Sequence, residues 1–367
     1  MHSLSTGGNE LDMDKVQMKE GYHRYILRKL FFIIGCCVLV IIAAGVAATL
    51  GGRDIDFFEV YRLIFDHIGG ATYPLNTTQW WDDYIVWNVR LPRIVMAILA
   101  GAGLAVGGAA MQSIVKNPLA DQYTTGVSSG AVFGAILALV MGMAVTGLAQ
   151  YGVVLNAFLF GLVPVGVMIF VSKLSNTSPA TMILAGVAIS YLFSSLSTII
   201  LVTSDAEDVA AAYLWQIGTL KNAVWSNLPL MFIITVIGSI FLYLTSRQLN
   251  LLLLGDDSAK SLGLDVDNYR LLSLGIISIM AASIISFTGI IGFVGLAAPH
   301  IVRMFLGGDN KFIIPASMAF GSALLLTADI TARTIVSPGE LPVGIIMSFV
   351  GGILFLLLII RNRKDAW

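Results

Sequence analysis

The sequence predicts an all-α, polytopic membrane protein with about ten transmembrane helices and with both termini in the cytoplasm. Hydrophobic residues make up 57% of the 367-residue chain and charged residues only 12%, against about 25% charged residues in soluble domains. The mean hydropathy of +0.87 agrees with this class, because a soluble fold cannot bury so much apolar surface. The net charge of -1 excludes a nucleic-acid-binding protein, which needs a basic surface.

Uncharged runs long enough to cross a bilayer, which takes roughly 20 apolar residues, recur along the chain. They cover residues 30–50, 94–115, 124–149, 151–172, 182–204, 228–246, 271–299, 312–328 and 341–360. We interpret the first run as a retained transmembrane helix, since it is too long for the core of a signal peptide. One membrane domain then covers 30–361, flanked by cytoplasmic tails at 1–29 and 362–367.

The run at 271–299 could form one long tilted helix or two helices separated by a turn. It contains Gly289, Gly292 and Gly295, which permit a break in a helix. Basic residues concentrate in the cytoplasmic segments of membrane proteins. With two helices, 15 of the 21 Lys and Arg residues are cytoplasmic, whereas a single helix leaves only 11 there. The charge distribution therefore favours the break and a total of ten helices.

A polar segment at 248–270 interrupts the apolar second half of the chain, and we place it in the cytoplasm. It predicts a short helix that Asp256 can cap at its first turn. Lys260 can pair with Asp256 four residues earlier, and Gly263 suits the left-handed residue that follows a helix. Such a helix between two spans is either part of a solvated connection or a docking surface for a partner.

Three arginines lie at the predicted outer ends of helices, where the charge distribution disfavours basic residues. Arg90 and Arg93 flank the start of the second span, and Arg333 lies at the end of the ninth. Such arginines commonly extend to lipid headgroups or pair locally, as Arg333 can with Asp329 four residues before it. The alternative is a docking site for carboxylates of a partner protein, which guanidinium groups bind in bidentate fashion.

Hydroxyl residues follow one face of the run at 182–204. Ser190, Ser194, Ser197 and Thr198 are spaced by three or four residues, so they share one side of a helix. These side chains either line a transport pathway or hydrogen-bond to a neighbouring helix.

The sequence contains no pattern that is typical of catalysis, ATP binding or metal binding. It has no GxxxxGK[ST] motif for a phosphate-binding loop, and its four histidines lack the spacing of metal ligands. No acidic residue falls within a predicted span, whereas ion-coupled secondary transporters usually carry acids at mid-membrane. This argues against the alternative class, an ion-coupled secondary transporter.

Five stretches resemble the permeases of iron-siderophore and cobalamin importers of the ATP-binding cassette (ABC) type, the FecCD family. They are RLPRIVMAILAGAGLAVGGAAMQ (90–112), NPLADQYTTGVSSGA (117–131), LLLLGDDSAKSLGLDV (251–266), GFVGLAAPHIVR (292–303), and ADITAR with ELPVGI (328–345). They occur in the family's order over most of the chain. One departure is Gln122, where the family usually has proline.

The resemblance implies a homodimer in the cytoplasmic membrane with two ATPase subunits, which hold ATP and Mg, and an extracytoplasmic binding protein. Its cargo would be an iron(III)-siderophore, cobalamin or haem. The chain itself would not be an enzyme and would bind no cofactor. The resemblance also implies that the ATPase contacts part of the polar segment. The residues concerned are Gly255, Asp256, Asp257, Ser258, Lys260, Leu262 and Gly263.

The resemblance assigns further roles to the remaining candidates. Arg90, Arg93 and Arg333 would meet glutamates of the binding protein. The helix with Ser190, Ser194 and Thr198 would line the passage between two permease copies. The turn before that helix would be the cytoplasmic gate, formed by Ser178, Pro179, Ala180 and Thr181.

Overall fold

The computed structural model describes residues 6–144, 151–174, 179–336 and 339–361. Within these ranges the chain forms α-helices joined by turns and contains no β-strand, which confirms the all-α class. The helices are α1 (Thr6–Thr49), α2 (Phe57–Ile68), α3 (Thr78–Ile85), α4 (Leu91–Val115), α5 (Val127–Leu139), α6 (Gly152–Leu174), α7 (Pro179–Val202), α8 (Ala206–Gln216), α9 (Leu228–Leu244), α10 (Ser246–Leu253), α11 (Asp256–Ser261), α12 (Val266–Thr288), α13 (Val294–Leu306), α14 (Asn310–Thr334) and α15 (Val343–Arg361).

The apolar helices coincide with the runs that the sequence marks as spans. Within the described residues, seven helical segments are long and apolar enough to cross a membrane, and α5, α13 and the apolar part of α15 are shorter. This confirms a polytopic, α-helical membrane protein. The number of crossings and the side on which each terminus lies stay predictions.

The break expected in the run at 271–299 is present. α12 ends at Thr288, and Gly289 follows with φ +70°. A side chain on Gly289 would meet the Trp215 carbonyl oxygen, so glycine is required on both conformational and steric grounds. α13 begins at Val294. The prediction of two helices here is confirmed.

The N-terminal segment is helical where we expected a polar tail. α1 runs without interruption from Thr6 to Thr49, so the predicted boundary at residue 29 falls inside one helix about 66 Å long. The apolar part of α1 extends from His23 to Thr49. The cytoplasmic location of residues 1–29 stays a prediction.

Helix α4 lies at the centre of the fold and is buried along nearly its whole length. Its small residues allow neighbouring backbones to come close: Gly101 lies against Gly321 of α14, and Gly108 lies against Gly295 of α13. A side chain at Gly103 would meet Ile284 of α12. The glycines of α4 therefore serve helix packing.

Candidate functional site

The two ends of the helix bundle carry different clusters of polar residues. We call the end with α11 the inner end and the end with Arg93 the outer end, following the predicted topology. α11 is framed by two glycines with positive φ, Gly255 (φ +106°) before it and Gly263 (φ +86°) after it. The prediction that Gly263 ends the helix is confirmed, and its backbone N–H donates to the Lys260 carbonyl at 3.0 Å.

The capping role expected of Asp256 is wrong. Gly255 is the residue before the helix, and no side chain caps the first turn. The Asp256 carboxylate instead turns toward the bundle, where Oδ1 accepts from Lys116 Nζ at 2.7 Å and from Arg270 Nη2 at 2.8 Å. Arg270 is fully buried in α12, and Lys116 ends α4 in the left-handed conformation. One carboxylate thereby joins α11 to both α4 and α12.

This ion-paired arrangement keeps Asp256 ionised. Partial burial acts to raise the pKa of Asp256, but the hydrogen bonds from Lys116 and Arg270 outweigh it and hold the pKa below its usual range. The predicted pair of Asp256 with Lys260 is not formed, because Lys260 pairs with Asp267 at 3.2 Å. Asp256 is therefore a structural link of α11, whereas Lys260 lies on its exposed side.

The opposite side of α11 is open and partly apolar. Ala259 is buried beneath the helix, while Leu254 and Leu262 are each 63% exposed. Asp257, Ser258 and Lys260 are exposed between the two leucines. The structure thus brings the predicted coupling residues together on one surface, apart from the carboxylate of Asp256. ATPase contact at this surface stays a prediction.

Next to this segment, the turn between α4 and α5 holds a carboxylate with an altered pKa. Asp121 caps a 3₁₀ turn of residues 122–125 by accepting from the Tyr123 backbone N–H at 3.1 Å. Burial raises the pKa of Asp121 to about 6, against the opposing effect of backbone hydrogen bonds. Its charge therefore changes close to neutral pH.

This pKa makes stability depend on pH in a defined direction. The pKa of Asp121 is higher in the folded protein than the roughly 3.9 of a free aspartate, so its contribution to stability is largest below about pH 4 and is lost as pH rises through 6. Asp121→Asn is expected to melt at a higher temperature than the wild type at pH 8, with a smaller difference at pH 5. Asp257→Asn, which removes an exposed carboxylate of the same end, is the control. Parallel pH profiles for wild type and Asp121→Asn would contradict this expectation.

The residue that departs from the family pattern is packed inside the bundle. Gln122 is 1% exposed, and its amide lies beside Gly107 of α4 and Gly295 of α13. A side chain on Gly295 would overlap this amide. Glycine at 295 therefore makes room for glutamine at 122, and the turn closes with Gly126 at φ +84°.

At the outer end, the three arginines are buried rather than displayed. Arg93 binds Asp329 at 2.9 Å and Glu340 at 2.8 Å. Arg333 binds Asp329 at 3.1 Å, which confirms the local pair expected from the sequence. Arg90 donates to the carbonyls that end α1, at 2.8 Å from Ala48. We call Arg90, Arg93, Asp329, Arg333 and Glu340 the outer charge cluster.

The three arginines of this cluster are buried, a property that the sequence did not specify. Arg90, Arg93 and Arg333 are 3%, 4% and 5% exposed, and their bonds join α1, α4, α14 and the segment before α15. Glu340 is the most accessible member, with its side chain 27% exposed. Sequence reasoning missed Glu340, although it is the only acidic residue between Asp329 and Asp365. Contact with a binding protein stays a prediction for the three arginines.

The predicted pathway helix exposes most of its surface. In α7, Ser194 and Thr198 are exposed and Ser190 is half-buried. The Ser190 hydroxyl donates to the Gly186 carbonyl and the Thr198 hydroxyl to the Ser194 carbonyl, at 2.8 and 2.9 Å, so both bond within their own helix. The pathway role stays a prediction.

The predicted gate lies at the start of the same helix. Pro179 begins α7, and Ala180 and Thr181 follow in its first turn. Ser178 lies outside the described residues. The gating role also stays a prediction.

A cavity of about 500 Å³ lies beside the outer charge cluster. No sequence pattern predicted this cavity. Its walls are formed by the ends of the three helices α5, α8 and α12 and by the segment before α15. Its lining includes Leu139, Leu214, Trp215, Thr219, Lys221, Asn222, Phe287, Thr288, Gly289, Glu340, Leu341 and Pro342. The segments after α8 and α12 pair with each other, since Thr219 N–H donates to the Thr288 carbonyl at 2.7 Å. The cavity therefore lies where α5, α8 and α12 end and before α15 begins.

The packed spans, the interrupted helices and the surface helix at one end define a multi-pass α-helical membrane protein. Comparison with known proteins specifies the class further. The chain belongs to the FecCD transport family, whose profile matches residues 36–361.

Characterised relatives and one solved structure cover most of the chain. The hemin transport system permease protein of Yersinia pestis is 36% identical over 89% of this chain and 94% of its own length. The cobalamin import system permease protein of Halobacterium salinarum is 39% identical over 76% of this chain and 74% of its own. An inward-facing ABC transporter assigned to the metal-chelate type has a TM-score of 0.77 and 29% identity, over 90% of this chain and 98% of that one.

Proposed function

We propose that the chain is the permease subunit of an ABC importer for iron(III)-siderophores, cobalamin or haem in the cytoplasmic membrane. It works as a homodimer with two ATPase subunits, which hold ATP and Mg, and receives cargo from an extracytoplasmic binding protein. The relatives for hemin and cobalamin support this range of cargo. The permease is embedded in the lipid bilayer, and nucleic acid is not among its partners.

The observation that carries the proposal is the way α11 is attached to the bundle. The solvent-exposed side of α11 presents Leu254 and Leu262 to a partner. On the side that faces the bundle, Asp256 binds Lys116 and Arg270. Displacement of α11 by the ATPase would therefore act directly on α4 and α12. Both are long, buried spans, so the displacement would reach the outer end as a movement of whole helices.

The exposed hydroxyl residues of α7 agree with this mechanism. A second copy of the chain would face the open side of α7, and Ser194 and Thr198 would then border a passage between the copies. The turn at 178–181 would close this passage at the inner end. A movement of α12 relative to α7 would alternately open the two ends of the passage.

Reconstituted permease, ATPase and binding protein are expected to take up cargo only when ATP is supplied, and uptake should persist when a protonophore removes the ion gradient. Asp256→Asn should keep the ATPase bound but lower uptake about tenfold, because the exposed surface remains while the link to α4 and α12 is weakened. The measurement is cargo uptake per ATP hydrolysed, together with co-purification of the ATPase.

Glu207→Gln is the control for this experiment. It removes an exposed carboxylate of α8, outside the predicted ATPase-contact surface, and should leave the ratio of uptake to hydrolysis unchanged. Wild-type coupling in Asp256→Asn would refute the lever mechanism. Uptake that follows an ion gradient without ATP would refute the importer class and establish a secondary transporter.

A further inference from the structure

We propose that the cavity at the outer end is a transient cargo site that selects an anionic molecule with an apolar or aromatic body. This inference rests on the proposed function, since it concerns what the importer carries. It specifies the sign of the charge on the cargo, which neither the fold nor the relatives specify.

The size and walls of the cavity suit a small organic ligand. Its volume of about 500 Å³ falls within the roughly 300–1,000 Å³ of small-molecule sites. Trp215 and Phe287 supply aromatic surface, and Leu139, Leu214 and Leu341 supply aliphatic surface. These walls can bury the apolar body of a ligand and replace its contact with water.

The backbone around the cavity is also typical of a transport site. Three helix ends meet at the cavity, since α8 ends at Gln216, α12 ends at Thr288 and α15 begins at Val343. Non-helical backbone inside a membrane protein is tolerated where it is buried in protein or lines a water-filled cavity. In transporters, interrupted helices often meet at the substrate site.

The cavity contains one cation, Lys221, whose charge acts on the nearby Glu340 without direct contact. Within the described part of the chain, the Lys221 ammonium forms no salt bridge and donates no hydrogen bond. The one carboxylate in the lining, Glu340, is already bound by Arg93 at 2.8 Å. An anionic ligand could therefore bind the ammonium group without breaking a direct hydrogen bond or salt bridge.

The neighbouring charges strengthen this preference. The outer charge cluster contains three arginines and two carboxylates, and Asp54, Asp82 and Arg53 lie close to Arg90. With Lys221, five positive and four negative groups give the region a net charge of about +1. The nearby acids of α8, Glu207 and Asp208, lie in its first turn, roughly 10 Å along the helix from Leu214. The cavity thus attracts anions and disfavours cations.

A single flexible lysine also fits a site that must release its ligand. An ammonium on a four-carbon stem binds as a point charge and tolerates different ligand geometries. Conduction requires a site favourable enough to be entered but weak enough to be left. We therefore expect affinity in the micromolar to millimolar range rather than tight binding.

The test is equilibrium binding to the detergent-solubilised permease without binding protein or ATP, followed by tryptophan fluorescence. The probes are haemin and protoporphyrin IX, which are anionic with an aromatic body, and the dimethyl ester of protoporphyrin IX, which has nearly the same size but no carboxylate. The wild type should bind both anionic probes more tightly than the dimethyl ester. Lys221→Glu should raise the Kd for the anionic probes about tenfold or more, a change of about 1.4 kcal/mol, whereas Lys221→Arg should retain their binding.

Arg62→Glu is the matched control, since Arg62 is an exposed outer cation on α2 and should leave all three affinities unchanged. The inference is overturned if Lys221→Glu binds the anionic probes as tightly as the wild type. It is equally overturned if the dimethyl ester binds as well as they do, or if the wild type binds neither anionic probe at about 1 mM. Because the assay needs no ATP, its failure is distinguishable from failure of the importer function, which the uptake experiment measures separately.

Discussion

Replacing Asp329 by alanine is expected to prevent stable folding of the protein in the membrane. Asp329 is fully buried and forms ion pairs with Arg93 and Arg333. Its removal leaves a buried guanidinium without any carboxylate partner, and breaking a buried pair in this way costs roughly 3–5 kcal/mol. That cost is a large part of the 5–15 kcal/mol by which a protein is typically stable. The measurement is the yield and melting temperature of detergent-solubilised protein.

A surface carboxylate provides the control for this prediction. Glu59→Ala removes a partner of Arg62, a pair that lies on the exposed side of α2 with its atoms 3.5 Å apart. Exposed ion pairs contribute only about 0–1 kcal/mol, so this variant should melt close to the wild type. If Asp329→Ala melted at the same temperature as Glu59→Ala, the outer charge cluster would not stabilise the fold.

A second large effect is expected for Gly108→Ala. The added methyl group would overlap the carbonyl of Gly295, where α4 and α13 are in direct backbone contact. Relief requires the two helices to separate, because backbone cannot move aside as a flexible side chain can. We expect a loss of about 3 kcal/mol or more, at the upper end for overpacking. Thermal unfolding and the yield of folded protein in detergent measure this loss.

Gly275→Ala is the matched control for the packing prediction. Gly275 also lies within a long helix, α12, but a side chain there meets open space. Alanine is favoured over glycine in a helix by about 1 kcal/mol, so Gly275→Ala should be neutral or slightly stabilising. Equal melting temperatures for the two variants would show that α4 and α13 can separate at little cost.

Local sequence patterns predicted those features whose causes are also local. The apolar runs marked the spans, glycine marked the break after Thr288, and Gly263 marked the end of α11 because positive φ favours glycine. Asp329 and Arg333 were paired correctly because they are four residues apart on one helix. Each of these features follows from neighbouring residues and could be read from one stretch of sequence.

Partners that are distant in the chain could not be predicted in this way. Asp256 was expected to cap its own helix and to pair with Lys260, but it binds Lys116, which is 140 residues away. A local cap is worth about 1 kcal/mol, and two cations brought close by tertiary packing outweigh it. The choice depends on how α4, α11 and α12 meet, and no pattern within one stretch specifies that.

The outer cavity was missed for a related reason. Its lining comes from the ends of α5, α8 and α12 and from the segment before α15, each of which reads in sequence as an ordinary connection. Lys221 and Glu340 line a common cavity only because these segments pack together in the fold. Burial of the arginines was equally hidden, since the carbonyls that accept from Arg90 and Arg333 are backbone groups of α1.

The outer charge cluster also constrains the order in which the protein is assembled during synthesis. Arg93 and Glu340 are separated by 247 residues, so at about 5–20 residues per second the ribosome supplies the glutamate roughly 10–50 s after the arginine. The other carboxylate partner of Arg93, Asp329, is also distant, at 236 residues. Before both are made, Arg93 cannot be buried without cost, because an unpaired charge in the membrane interior is unfavourable. We expect α4 to keep its outer end hydrated while most of the chain is inserted. The outer end of the bundle would then be the last part of the protein to be completed.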